Sequence, residues 1–178
     1  MKKKVVAMFL AAVMALSLVA CGSKSDNGGS GDASGTETIK LGGVGPLTGG
    51  YANYGLSVQH GAELAVKEIN AANGSDVFEW KFEDDEHDAE KSVNAYNTLK
   101  DWGLQVLAGP VTTTPSIAVA AETANDNLFM MTPSASAPAV IESGDNVFQI
   151  CFTDPNQGVA SADYLSLIHI SEPTRLQL

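Results

Sequence analysis

Between Ile39 and Asn73 the chain changes its hydrophobic period once, and that change limits most of what can follow. Ile39-Lys40-Leu41-Gly42-Gly43-Val44 is a short apolar run with strand character. Gly45-Pro46-Leu47-Thr48-Gly49-Gly50-Tyr51-Ala52-Asn53-Tyr54-Gly55 is a glycine-rich loop carrying two tyrosines. A long amphipathic helix follows, with Val58, Ala62, Ala65 and Ile69 as its expected apolar stripe. A strand that feeds a helix through a loop opens a parallel α/β sheet. Ligands of such sheets sit where the strands end, so this loop is a first candidate wall of a binding site.

The alternation continues. Asn73-Gly74-Ser75-Asp76 is a helix stop, and Val77 to Phe82 alternates with Phe78, Trp80 and Phe82 on one face, a strand. An acidic loop from Glu83 to Asp88 leads to a helix over Ala89–Trp102, with Ala89, Val93, Tyr96, Leu99 and Trp102 inward and Gly103 as its stop. Leu104 to Ala108 is a continuous apolar run, the mark of a buried parallel strand. Thr114 is the expected N-cap, and Pro115 the expected first residue, of a third helix through Ala124. Leu128 to Met131 and Val147 to Phe152 are further strands, with a loop from Thr132 to Pro138 and a short helix over Ala139 to Glu142 between them. Another helix is expected near Gly158. The fold class is therefore α/β: an open parallel sheet with helices on both faces and right-handed crossovers.

The flanks differ from this core. Lys2, Lys3 and Lys4 precede an apolar run from Val5 to Ala20, too short for a membrane span and suited to a secretory leader. Leu18-Val19-Ala20-Cys21-Gly22 resembles a bacterial lipobox, in which Cys21 is lipidated and becomes the new N-terminus. Residues from Ser23 to Thr38 are almost all small and polar, the composition of a flexible tether. Near the other end, Ser166-Leu-Ile-His-Ile-Ser-Glu-Pro173 loses the helical stripe. The tail over 166–178 resembles translated sequencing-adapter sequence and is expected to be non-native, with the natural chain continuing elsewhere.

Several chemistries are set aside. The net charge of −11 opposes nucleic-acid binding, which needs a basic footprint. With Cys21 assigned to the lipobox, Cys151 stands alone, so there is neither a disulfide nor a cysteine metal framework. No Gly-x-Ser-x-Gly elbow is present, and His60, His87 and His169 have no metal-ligand spacing. The Glu83–Asp88 run lacks the glycine and spaced oxygen ligands of a calcium loop. It is expected to be a solvated loop favouring the following helix N-terminus, and neither a metal nor a cofactor is expected. Gly43-x-Gly45-x-x-Thr48 lacks the third glycine of a dinucleotide loop.

Three loops remain: Thr48 to Tyr54, Val111 to Thr114, and Thr132 to Pro138. Each follows a strand and precedes a helix, so all belong to the carboxyl edge of the sheet. Their hydroxyls, glycines and open helix N-termini suit an anionic group, held by free backbone N–H groups and the helix dipole. Thr112, Thr113 and Thr114 add hydroxyl donors, although simple capping would explain one of them.

Gly45-Pro46-Leu47-Thr48-Gly49, Tyr54-Gly55, Gly61-Ala62-Glu63-Leu64-Ala65 and Glu68-Ile69-Asn70 together resemble the start of the mature type I periplasmic binding proteins, in their branched-chain amino acid branch. The resemblance runs from about Ile39 to Leu165. It implies a ligand carboxylate held by a hydroxyl and backbone amides in the loop matching Val111 to Thr114, with Thr112 and Thr113 as its residues here. It implies an ammonium held partly at Ala135 and Ser136, an aromatic closing over the side chain at Tyr54, and an acid at the crossing into a second lobe at Asp154. Some relatives carry a disulfide whose two positions are His87 and Thr112 here, so that link is absent.

What the resemblance implies as a whole is a lipid-anchored, extracytoplasmic solute-binding component of an ABC importer, at a cell surface or in a periplasm, and not an enzyme. The ligand would be a branched-chain or related small amino acid, the partners the permease subunits in the membrane, and the protein a monomer. The chain then divides into a leader (1–20), a tether (21–38), a ligand-binding lobe (39–155), the start of a second lobe (156–165) and the tail. A ligand-sensing domain of the same fold is the alternative; an extracellular acid-dependent hydrolase using the Glu83–Asp88 cluster is a third reading.

Overall fold

The computed structural model describes residues 38–169. The leader, Cys21, nearly all of the tether and the tail beyond His169 lie outside the described residues. Strand β1 (Ile39–Gly45) leads to α1 (Ala52–Asn73), β2 (Phe78–Asp84), α2 (Ala89–Trp102), β3 (Val106–Ala108) and α3 (Thr113–Asp126). Then come β4 (Met130–Thr132), a short 3-10 helix (Pro138–Glu142), β5 (Val147–Gln149) and α4 (Asp154–His169). All neighbouring strands pair in parallel, in the order β2-β1-β3-β4-β5. The chain thus moves one way from β1 to β2 and the other way from β3 onward. The direction reverses between β1 and β3, and in doubly wound sheets ligands bind at the carboxyl ends of strands at such a switch point.

With right-handed crossovers, α1 covers one face and α2 with α3 the other. The second face is the dry one. Val44, Leu107 and Met130 from the strands meet Tyr96 and Leu99 of α2 and Val119 and Ala120 of α3, all fully buried. The α2 boundaries match the sequence expectation because both ends carry their own capping chemistry. Asp88 accepts a hydrogen bond from the Lys91 N–H at 2.9 Å, and Gly103 closes the helix at φ 97°.

The expected stripe of α1 is rotated from the observed one. Val58 and Ala62 are half-buried, but Ala65 and Ile69 are exposed. The buried and half-buried residues of the helix are Ala52, Gly55, Leu56, Val58, Gln59, Ala62, Val66 and Asn70. Two contacts that hydropathy does not weigh set this rotation. Gly55, the buried residue of the helix, lies against the Pro46 backbone. Asn70 clasps the start of β2, accepting from the Phe78 N–H at 3.0 Å and donating to the Phe78 carbonyl at 2.8 Å.

The start of α3 differs too. Its N-cap is Thr112, not Thr114, and Pro115 is the third helical residue. Pro115 fits there because N–H groups of a first turn have no intrahelical partner. The strands are also shorter and shifted against expectation at β3, β4 and β5, and α4 begins at Asp154, ahead of Gly158. Every residue from Asp154 to Ile168 is exposed, including Val159, Tyr164 and Leu167. No helix among the described residues is long and apolar enough to cross a membrane.

Candidate functional site

Four strand-to-helix connections meet at the carboxyl edge of the sheet. They line an open cavity of about 380 Å³. Tyr51 and Tyr54 come from the β1–α1 segment, His87 from the β2–α2 loop, Val111 to Thr114 from the start of α3, and Ser134 and Ser136 from the loop after β4. A second hollow of about 400 Å³ shares Tyr54 and Ser134 with it and is otherwise lined by Asn53, Ser57 and Val58. Its accessible wall is nearly all carbon.

The loops are tied to one another by polar side chains. Asp84, at the end of β2, accepts from the Leu47 N–H at 2.8 Å, the Glu86 N–H at 2.9 Å and the Thr48 hydroxyl at 2.7 Å. Burial raises its pKa, but these hydrogen bonds outweigh burial and hold the carboxyl below the usual aspartate range. Its bonds therefore stabilise the fold above the unfolded pKa, and that contribution fades as the pH falls through the lower folded value. On the far side, Thr132 donates to the Pro110 carbonyl at 2.7 Å, Ser116 donates to the same carbonyl at 2.9 Å, and Ser134 donates to the Val111 carbonyl at 2.6 Å.

Asp85 behaves in the opposite way. It is fully buried, and burial pushes its carboxyl above the usual range, against the opposing pull of the His87 N–H. Its ionised form is disfavoured by folding, so stability is lost as the pH rises through the unfolded value toward the raised folded one. Asp85→Asn keeps an oxygen for the His87 N–H, which donates at 2.9 Å, and removes the buried charge. The variant should be about 1 kcal/mol more stable at pH 7, the low end of what a poorly matched buried polar group costs. Urea melts should show that gain shrinking toward zero below about pH 4. A variant less stable at every pH would refute the assignment.

Of the site residues expected from sequence, Tyr54, Thr112, Thr113 and Ser136 come together on the cavity wall. Ala135 lies buried behind it, and its carbonyl accepts from Gln149 Nε2 and from the Cys151 thiol at 3.2 Å. The Ser136 carbonyl accepts from the Asp154 N–H at 3.0 Å, and Asp154 itself stands at the head of α4, off the wall. Five lining residues lie outside that expected set, Tyr51, His87, Val111, Thr114 and Ser134, and of these only His87 also lies outside the three expected loops. His87 follows β2 as the other loops follow their strands, so the same carboxyl-edge rule would have found it. Its Nδ1 lies 2.9 Å from Thr112 Oγ1, and its ring lies 4.0 Å from that of Tyr51.

Thr113 and Thr114 present N–H groups of a first helical turn, and Pro115 has none to present. The Thr112 hydroxyl, which as N-cap would ordinarily satisfy one of them, makes no capping bond. Among the described residues no three His, Cys, Asp or Glu side chains converge as metal ligands. Asp84 is engaged with the loops and Asp85 is buried, so neither stands free for acid–base work on a substrate.

Residues 38–167 match the family model described as periplasmic binding protein. The Leu/Ile/Val-binding protein homolog 3 of Brucella melitensis is 35% identical over 130 residues, covering 71% of this chain and 35% of that protein. The branched-chain amino acid transporter substrate binding protein LivJ of Streptococcus pneumoniae, solved in complex with isoleucine, superposes with a TM-score of 0.67 at 29% identity. That match covers 73% of this chain and 38% of LivJ. A Desulfitobacterium hafniense ABC transporter substrate-binding protein, solved with Leu, gives 0.64 at 26% identity over 74% of this chain and 39% of that one. The chain thus spans about a third of the curated relatives it matches. A parallel sheet that switches direction between β1 and β3, with this match along nearly its whole described length, places the chain in the type I periplasmic binding protein family, among the relatives of the Leu/Ile/Val-binding proteins.

Proposed function

We propose that this chain is the ligand-binding lobe of an extracytoplasmic solute-binding protein that serves an ABC importer for branched-chain or related small amino acids. One observation carries the reading: an uncapped helix start, with two free N–H groups and three threonines, lines a cavity at the switch point of the sheet. That is a seat for a carboxylate. Ser136 supplies part of the polar surround of an ammonium, and the carbon-walled hollow beside Tyr54 and Val58 receives an apolar side chain. A zwitterion removed from water needs both charges matched, so the remaining ammonium partners come from a second lobe closing over the site.

The exposed apolar surface of α4 supports such a lobe. So does the length of the relatives, of which the chain spans about 35%. Closure would bury the ligand and present the loaded form to permease subunits. Cys21 would carry the lipid anchor and residues 21–38 the tether, holding a monomer at the outer face of the membrane.

Calorimetry of the full-length protein against an amino acid panel tests this. Leucine, isoleucine or valine should bind, and Thr113→Ala or Ser136→Ala should each weaken binding by about 1 to 3 kcal/mol, the cost of leaving a charged group short of one hydrogen bond. A panel in which no amino acid binds or shifts the melting temperature would sink the reading.

A further inference from the structure

His87 is the polar residue of the cavity whose presence the amino-acid reading does not require. Its placement is costly. Glu86 and His87 are consecutive non-glycine residues with left-handed backbones, φ 49° and 63°. The turn is held by hydrogen bonds from Glu86 N–H to Asp84 Oδ1 and from His87 N–H to Asp85 Oδ1, both at 2.9 Å. The imidazole is then fixed between the Tyr51 ring and the Thr112 hydroxyl.

Thr112 is where this matters. As the N-cap of α3 its hydroxyl would ordinarily accept an N–H from the second or third helical residue. The third is Pro115, which has no N–H, so the Thr114 N–H is what a rotated Thr112 would take. The contact with His87 holds the hydroxyl away from it. The sense of that contact decides what a ligand meets. With the proton on Nδ1, the imidazole donates to Thr112 Oγ1, and the hydroxyl proton stays free for an anion. With Nδ1 bare, the hydroxyl donates to the ring and turns only lone pairs toward the cavity.

We propose that His87 is a positioning and specificity-determining residue of the carboxylate site: through Nδ1–H it fixes the Thr112 hydroxyl as a donor, leaves the Thr113 and Thr114 N–H groups open, and so makes the site select a carboxylate over a carboxamide. This rests on the amino-acid reading above. At Thr112 and the two N–H groups the site then offers donors, which match both oxygens of a carboxylate and oppose the NH₂ of an amide. Once the Thr112 hydroxyl is released to rotate, it can accept from that NH₂, and the preference falls.

The test compares leucine with leucinamide on full-length wild type, H87A, H87N and the H87A/T112V pair, by calorimetry. Asparagine places an amide nitrogen where Nδ1 stands and tolerates a left-handed backbone. Wild type and H87N should prefer leucine; H87A should lose about tenfold of that preference, on the scale of one hydrogen bond to a charged group. H87A should add little loss in a T112V background, because the two act as one unit. Nitrogen-15 NMR of the imidazole in ligand-free protein should place the proton on Nδ1, with the signal altered by T112V.

Equal weakening of both ligands in H87A, or a neutral ring with Nδ1 bare and its proton on Nε2, would overturn the role of His87. Wild type that binds neither compound would instead fail the amino-acid reading, and so the two failures are told apart.

Discussion

Gly55→Ala should lower the stability of this domain by about 3 kcal/mol or more, while Gly61→Ala, on the same helix, should raise it by about 1 kcal/mol. Intrinsic propensity favours alanine over glycine by nearly that amount inside a helix, so propensity alone would make both changes stabilising. Tertiary contact reverses the sign at one position only. A Cβ on Gly55 would stand 1.9 Å from the Pro46 carbonyl oxygen and 2.6 Å from its carbon, and backbone cannot swing aside as a side chain can. A Cβ on Gly61 would meet nothing within 4 Å. Relief of the clash requires α1 to lift from the loop before it, and overpacking that moves backbone costs at the upper end of the usual range. That loop carries Tyr51 and the first turn of α1 carries Tyr54, so Gly55→Ala should also weaken ligand binding, whereas Gly61→Ala should leave it unchanged. Paired urea melts and calorimetry read the two effects. Two variants that shift in the same direction would show that the Pro46 contact does not fix the helix.

The same two residues show what the sequence could express. The alternation of strands and helices was legible because each element carries its own period and punctuation; α2 is bounded by Asp88 and Gly103, and both act within one turn of the helix they end. The rotation of α1 was not, since it depends on Gly55 meeting Pro46 and Asn70 meeting Phe78, and neither contact has a hydropathy signature. The start of α3 was misplaced because Pro115 is compatible with more than one first-turn position, and the residue that engages the Thr112 side chain, His87, is 25 positions away. The threonine run was legible as a helix N-terminus chemistry. The carboxyl-edge rule puts His87 on the same edge as that run, but its contact with Thr112 depends on strand order, a property of the assembled sheet. Ala135 and Ser136 illustrate a finer limit. They are adjacent in one loop, but only Ser136 reaches the wall; Ala135 is turned inward, where Gln149 and Cys151 take its carbonyl.

Thr132→Val should cost roughly 3 kcal/mol of stability and weaken ligand binding with it. The side chain is fully buried at the end of β4, and valine matches its shape, so packing is preserved and the loss isolates the hydroxyl. That hydroxyl donates to the Pro110 carbonyl at 2.7 Å and accepts from the Ala135 N–H at 3.1 Å. Valine leaves the Ala135 N–H without a partner, and a buried orphan of that kind costs about 1 to 3 kcal/mol. The Pro110 carbonyl keeps its bond from Ser116, so its share of the loss is smaller. The functional consequence follows from where the two partners lie. Pro110 precedes the threonines of α3 and Ala135 precedes Ser136, so one hydroxyl sets the separation of the Thr112–Thr113 and Ser136 sides of the cavity. Thr132→Ser keeps the hydroxyl and sheds only a methyl group, which should cost about 1 kcal/mol with little change in affinity. If serine proves as damaging as valine in both melts and calorimetry, the hydroxyl is not the tie between the loops, and the spacing of the site must come from the Ser134 bond to Val111 instead.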